Sequence, residues 1–577
     1  MKTVEDIIRK LLKQSADYNI FIKFNSKTST DKMSLTNLIR KAISDGYIQK
    51  TDTNVLKVTK EGRAYLNKIE GIEDAPKVSI ATRRVNVNAN NAKLDSSIIA
   101  KAYDIKLDFS DEIINIANNI NNSTNFSVVE DDRVDLRHLK TVTIDSEESK
   151  DLDDAFSIES IDDNTYKLYI HISDVSHFVE LNSKLDLEAL SRGTSTYLID
   201  TVYNMFPSIL SNNIFSLNEG VDRFTLSVIA NINTNGDILD FNIVKSIIHS
   251  DRKLSYNYVQ DLIDDKNTDE SWLLELIKNA NLIKDILYNN RKKKGVLEFN
   301  NKDLKIKLDD NGIPLEFNIV ESLDSHKIIE EFMLLANSLV AIKLKDFDGV
   351  IYRYHGEPDE VRFNNFKKLA LNKNFDLNKM RIDEFVEKVR GSEYENLLIP
   401  VLLRSMTPSS YSTTKKSHFG LSLDYYTYFT SPIRRYVDLL IHRIVKDVII
   451  NKNSSINDTL KDVCTTNIEH LSILDKKAKK AENTLIQIKA SRYMKDRLGD
   501  EYYGIISSIS NKGIFVEVEG LEIEGFIEAH YVGSNYRFYQ DTQSIYLDRL
   551  KAYELGDRIR ILVASSNVES GKIFFSL

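Results

Sequence analysis

Between Thr141 and Glu159 the chain reads TVTIDSEESKDLDDAFSIE. Val142 and Ile144 alternate with threonines on the way in, and Phe156 and Ile158 alternate on the way out, so two strands flank the loop. The loop carries Asp145, Asp151, Asp153 and Asp154, four aspartates within ten residues. A calcium hand starting at Asp145 would need Gly at its sixth position and Glu at its twelfth. Lys150 and Phe156 stand there, and strands rather than helices flank the loop. A solvated acidic turn remains the ordinary alternative. Against it, the apolar flanks bring part of the cluster close to the core, where like charges raise one another's pKa unless a cation screens them. Hard carboxylate oxygens select Mg²⁺, with Mn²⁺ as the alternative. Hydrated Mg²⁺ held by a few carboxylates commonly accompanies a phosphate-ester substrate.

The rest of the composition sets wide bounds. A chain of 577 residues predicts about three or four domains. No apolar run approaches the roughly 20 residues of a membrane span. The opening MKTVEDIIRK lacks a signal-peptide core. One cysteine, Cys464, permits no internal disulfide and fits a reducing compartment, so a cytoplasmic protein is expected. The net charge of −9 runs against a basic outer surface, though a basic channel can lie inside an acidic exterior.

The pattern predicts a multidomain α/β (α+β) protein with small domains at both ends. Residues 1–70 read as a winged helix-turn-helix. VEDIIRKLLKQ and MSLTNLIRKAISDGYIQK have helical spacing, the second stopping at Gly46, and VLKVTKEGRAYL adds a short strand and a helical turn. Its use is open between protein docking and nucleic-acid contact. Residues 71–128 read as a linker or degenerate small domain, with KVSIATRRVNV as a strand and DEIINIANNI as a helix. The catalytic part is placed at 129–451. There NTYKLYIHISDVSHFV reads as a long strand, and FTLSVIANINTNGDILDFNIVKSIIHS as a hairpin turning at TNGD. Three helices follow in the stretches ending at Gly295, Leu344 and Ile450. Residues 452–497 form a basic helical connection. Residues 498–577 give short strands with glycine turns, a barrel of the OB type. The basic runs at Arg291–Lys294 and Lys476–Lys480 read better as solvated surface than as channel lining.

TSPIRRY breaks a local rule. Ser431 or Thr430 suits an N-cap and Pro432 the first helical turn, which sets Arg434 and Arg435 near a helix N-terminus, where the dipole disfavours cations. A phosphate resolves the conflict, since free N–H groups and guanidinium both welcome it.

Several long motifs then combine. TIDSEESKDLDDAFSIE, LYIHISDVSHFV, NIFSLNEGVDRFTLSVIANI, SHKIIEEFMLLAN and SHFGLSLDYYTYFTSPIRRYVDLLIHR stand in this order between Thr143 and Arg443. Together they resemble the catalytic signature of the ribonuclease II / ribonuclease R family of RNB-type exoribonucleases, and the ribonuclease R branch more closely. The resemblance implies a processive Mg²⁺-dependent 3′-to-5′ exoribonuclease that releases 5′-nucleoside monophosphates from single-stranded RNA. It implies that Asp145, Asp151 and Asp154 hold metal or its water, with Asp153 the acid most needed for the chemical step, and that Arg434 offsets charge on the scissile phosphate. It implies RNA contacts by Tyr197, Tyr256, Phe299, Glu330, Arg435, Lys512 and Phe515, with the tyrosines and Phe299 clamping terminal nucleotides and Glu330 near the ribose.

The chain also departs from that family. Lys512 and Ile514 stand where aromatics are usual around the glycine of NKGIFV, and Glu528 and Gly571 where His and Arg are common. The barrel is therefore expected to serve shape more than affinity. The two N-terminal cold-shock barrels of full-length relatives are replaced by the winged helix, which points to a protein or duplex-RNA contact there. A monomer without membrane contact is expected. The competing readings are a catalytically inactive RNA-binding or regulatory protein on the same scaffold, and a deoxyribonuclease.

Overall fold

A computed structural model describes residues 29–50, 55–59, 87–127, 132–264, 270–299 and 303–577, together with positions 4, 7, 16, 17, 22 and 85. The expected strand KVSIATRRVNV and helical turn EGRAYL lie almost wholly outside these residues, as does most of the first helix. The chain divides into two compact units, Met1–Thr82 and Arg83–Leu577.

In the first unit a helix, Ser29–Ser44, accompanies three antiparallel strands: β1 (Ala16–Asp17), β2 (Ile48–Lys50) and β3 (Val55–Val58), in the order β1-β3-β2. Leu35, Ile39 and Ala42 recur at helical spacing and meet Ile48 and Leu56 in a small core with Val4, Ile7 and Ile22. The helix stops where expected. Gly46 takes φ +75°, and the N–H groups of Gly46 and Tyr47 close back onto the carbonyls of Ile43 and Ala42.

The second unit is built on a seven-stranded sheet. Its strands are β4 (Val134–Asp135), β5 (Val142–Asp145), β6 (Asp154–Asp162), β7 (Thr165–Ser173), β10 (Asp222–Asn233), β11 (Ile238–His249) and β12 (Arg252–Ser255), in the order β12-β5-β6-β7-β10-β11-β4. A separate hairpin, β8 (Thr196–Tyr197) and β9 (Val202–Tyr203), lies between β7 and β10 in sequence. β6, β7, β10 and β11 pair antiparallel, while β12 runs parallel to β5. The expected hairpin is present, with its turn between Asn233 and Ile238. Phe156, Ile170, Ile172, Leu226 and Val228 fill one face and are buried by the helices Ser271–Lys293, Asp324–Leu344 and Tyr436–Ile444.

β7 ends at Ser173, earlier than the alternation suggests. Asp174 is buried and paired with Arg133 at 2.8 Å and Lys446 at 2.6 Å, and the chain turns there into a short helix, Val175–Phe178. Residues 87–123 are not a free linker. Asp95, fully buried, accepts from Arg492 and pairs with Lys489 on the 38-residue helix Asp458–Lys495. DEIINIANNI forms the helix Asp111–Ser123, capped by Ser110. One residue of each basic run is tied down, Arg291 by Glu331 and Lys477 by Asp104 at 3.3 Å, while Lys292, Lys293, Lys294, Lys476 and Lys479 are exposed as expected.

The C-terminal strands close a five-stranded barrel. Its core, including Ile506, Val516, Ile561 and Phe575, continues into Phe366, Phe385 and Leu398. The helices Glu360–Asn372, Ile382–Val389 and Glu395–Ser405 therefore share a core with the barrel. Gly556 sits at this junction with φ +88°, and a Cβ there would lie 2.8 Å from the Leu397 nitrogen. No helix among the described residues is long and apolar enough to cross a membrane.

Candidate active site

The parallel strands β5 and β12 end side by side, with Asp145 opposite Ser255. Ser255 caps the next helix, so Tyr256, its first residue, emerges beside Asp145. From Asp145 the chain loops to Asp154, which opens β6. Leu152 pins this loop: it is buried, its N–H donates to Ser216 Oγ at 3.0 Å, and its carbonyl accepts from Leu217 N–H at 3.0 Å. Asp151 and Asp153, on either side of it, both reach one cleft of about 490 Å³, which Asp145 and Asp154 also line.

The four carboxylates are held differently. Asp145 accepts from the Ser146 N–H at 2.7 Å and Ser149 Oγ at 2.6 Å. Asp151 accepts from the Tyr197 hydroxyl. Asp153 is 4% exposed. Its Oδ1 accepts from the Ile433 N–H at 2.8 Å, and its Oδ2, with no hydrogen-bond partner, faces Arg434 Nε at 3.3 Å. Burial drives the Asp153 carboxyl well above the usual carboxylate range; Arg434 and the Ile433 N–H oppose this, and Asp151 and Asp154 reinforce it. Burial, and then the charge of Asp145, push Asp154 up to about 7.

Arg434 arrives differently from the sequence expectation. The helix begins at Tyr436, and Pro432 lies in a turn before it, closed by the Arg435 N–H on the Ser431 carbonyl at 2.9 Å. The cause is a distant segment, Gly193–Ser195, which forms an isolated antiparallel bridge between Thr194 and Arg435. The Ser195 N–H donates to the Arg434 carbonyl, and the Tyr436 N–H to the Gly193 carbonyl, each at 2.9 Å, so these backbone groups pair with that segment before the helix begins. Arg434 thus stands ahead of the helix, and Ser431 fixes its side chain by accepting from Nη2 at 2.8 Å.

Tyr197, Tyr256, Glu330 and Arg435 line the same cleft. Tyr197 is 40% exposed, and Tyr256 stacks on His326 with ring centroids 4.0 Å apart. Arg435 is largely committed inside the protein, donating to Asp438 at 2.8 Å and lying 3.9 Å from the Tyr428 ring centroid. Phe299 lines a neighbouring cleft of about 580 Å³, for which Glu330 is a shared wall. Burial, and then the charge of Glu331, raise the Glu330 carboxyl. Lys512 and Phe515 are on the barrel and do not line the carboxylate cleft. Ile514 is fully buried there, so its side of the strand had no outward ring to lose. Phe515, 37% exposed, joins Phe526 and Phe574 in an aromatic row.

Sequence reasoning missed two organising residues. Asn337, buried in the apolar helix Asp324–Leu344, accepts from the Phe429 N–H at 2.8 Å and donates to the Tyr426 hydroxyl at 3.2 Å. Asp438, also buried, accepts from the Ser431 N–H at 2.8 Å as well as from Arg435. The signal was available: each is a lone amide or acid inside an apolar helical run.

Among the described residues, no three His, Cys, Asp or Glu side chains form a ready-made metal cage. The donor set still fits a hydrated Mg²⁺, which keeps several waters and takes one or two carboxylates together with substrate phosphate. The carboxylates crowded on one cleft, two of them raised by burial, provide the negative charge such an ion neutralises.

Comparison with known proteins agrees with this geometry. The RNB domain family matches residues 133–451, and the S1 RNA binding domain matches residues 495–577. Ribonuclease R 2 of Lactococcus lactis is 32% identical over 564 residues, covering 94% of this chain and 82% of that protein. Ribonuclease R 1 of the same organism is 34% identical over 460 residues, and there the match covers 77% of this chain but 56% of the relative. Among solved structures, Mycoplasma genitalium RNase R in complex with ribose methylated single-stranded RNA superposes with a TM-score of 0.79 at 25% identity, covering 85% of this chain and 78% of that one. With the four acids and Arg434 gathered on one cleft inside the matched region, the chain belongs to the RNB family of ribonucleases, among the relatives of ribonuclease R.

Proposed function

We propose that this protein is a 3′-to-5′ exoribonuclease that shortens single-stranded RNA to 5′-nucleoside monophosphates. The observation that carries the reading is Asp153 Oδ2, buried and 3.3 Å from the Arg434 guanidinium, in a cleft lined by three further aspartates. When bound among Asp145, Asp151, Asp153 and Asp154, Mg²⁺ or Mn²⁺ supplies Lewis acidity toward the phosphate and eases deprotonation of a water. Asp153 Oδ2, without a hydrogen-bond donor, is placed to take a proton in the chemical step. Arg434 offsets charge gathering on the phosphoryl oxygens. Glu330 accepts the ribose 2′-hydroxyl, which would select RNA over DNA. Tyr197, Tyr256 and Phe299 stack on terminal bases. Arg435 contributes through its hold on the Tyr428 wall and its charge. Lys512 and Phe515 meet RNA further out, on a barrel that keeps an aromatic row.

We read residues 129–451 as the catalytic domain, 452–497 as its helical connection, and 498–577 as the RNA-binding barrel. The N-terminal helix and three-stranded antiparallel sheet support a winged helix, suited to a protein partner or duplex RNA.

A labelled RNA oligomer incubated with Mg²⁺ or with EDTA tests the activity. Mononucleotides are expected with Mg²⁺ alone. RNA left whole in both would sink the reading in favour of a binding protein, and DNA shortened as readily as RNA would remove the proposed ribose selection. Tyr197→Ala removes a stacking surface worth about 1–3 kcal/mol per base. Its final undegraded fragment, read on a sequencing gel, is expected to be longer than the parent's; an equal length removes Tyr197 from the clamp.

A further inference from the structure

Asp145 and Asp153 are each held by a backbone N–H, Asp145 by that of its neighbour Ser146 and Asp153 by that of Ile433, 280 positions onward. Asp151 is not. Among the described residues, the hydrogen bond that fixes its carboxylate comes from the Tyr197 hydroxyl, 46 positions away. The same tyrosine leaves its ring 40% exposed in the cleft. Two residues before it, the Ser195 N–H and, next to that, the Thr194 hydroxyl donate to the Arg434 carbonyl, at 2.9 and 3.0 Å. One short stretch, Thr194–Tyr197, therefore carries a base-facing ring, the anchor of Arg434 and the anchor of Asp151.

We propose that Tyr197 is a positioning residue for Asp151 as well as a stacking surface, with its hydroxyl orienting the Asp151 carboxylate toward the ion and phosphate. This rests on the exoribonuclease reading above. A stacking ring needs no hydroxyl, because phenylalanine presents the same face to a base. A carboxylate at a metal site does need its partner: loss of such an outer contact commonly costs about 10–100-fold in metal affinity or activity.

Tyr197→Phe in the full chain separates the two roles. The length of the final fragment and the affinity for RNA are expected to stay at parent values. Mn²⁺ affinity, followed by electron paramagnetic resonance without RNA, is expected to weaken about 10-fold, and kcat to fall about 10-fold with KM little changed. Tyr197→Ala should show both the metal defect and the longer fragment. A Tyr197→Phe protein with parent Mn²⁺ affinity overturns the inference, whether or not its fragment lengthens. Failure of the parent to degrade RNA would instead overturn the exoribonuclease reading, and the Mn²⁺ comparison would still decide the role of the hydroxyl.

Discussion

Asp153→Asn is expected to lower kcat by about 1,000-fold, within the range that a positioned acid or base contributes, while RNA binding stays near the parent value. The geometry explains the separation. An asparagine oxygen can keep the Ile433 N–H bond that Asp153 Oδ1 makes at 2.8 Å. The amide would then stand where Oδ2 faces Arg434 Nε at 3.3 Å, replacing an ion pair by two opposed donors and removing the proton acceptor. Binding should survive because the rings proposed to stack on RNA, Tyr197, Tyr256 and Phe299, are untouched. The fold should survive too. Burial dominates at Asp153 and disfavours its charged form, so a neutral amide removes a desolvation cost. Single-turnover assays and fluorescence anisotropy on one RNA measure the two effects, and thermal unfolding measures the third. Turnover at the parent rate would show that another group takes the proton.

Arg434→Ala should lower kcat by about 100–1,000-fold, the usual cost of one lost donor to transition-state charge. Its side chain is 43% exposed, so the loss should fall on chemistry rather than on the fold. It also leaves Asp153 without its counter-charge, and with the opposing influence gone the Asp153 carboxyl should rise further, leaving a smaller ionised fraction. Arg434→Lys should recover part of the rate, because lysine keeps the charge but not the planar fork that reaches Ser431 and Asp153 together. Rates for Arg434→Ala within a few-fold of the parent, measured under single turnover, would detach this guanidinium from the reaction.

Much of the site was legible before any fold was known. Four aspartates between two alternating strands fix their own neighbourhood, since β5 and β6 pair and the loop between them is short. Tyr256 was legible only through the family resemblance, and the structure stands it beside Asp145 because Ser255, which ends β12 opposite Asp145, caps the helix that Tyr256 opens. Phe299 was not placed with its partners by motif order alone; it faces an adjoining cleft. The start of the TSPIRRY helix was misjudged because local capping rules ignore competitors, and Gly193–Ser195 takes the backbone groups that would have served the turn. Arg291 read as surface because its partner, Glu331, lies 40 positions away on another helix.

The order of apolar and acidic residues, and the signatures along the chain, determined by themselves the strands, the helices, the carboxylate loop and the family. The strands, helices and loop depend on neighbours one to four residues apart, whose geometry the backbone repeats impose, and the family on a resemblance carried by motifs spread from Thr143 to Arg443. Only the tertiary structure brought the Ile433 N–H, 280 positions onward, to Asp153, and set Arg434 against the same carboxylate. It also gave the barrel and the helices between Glu360 and Ser405 one core. Such pairings are settled by which distant surfaces bury one another, and no local spacing encodes that choice.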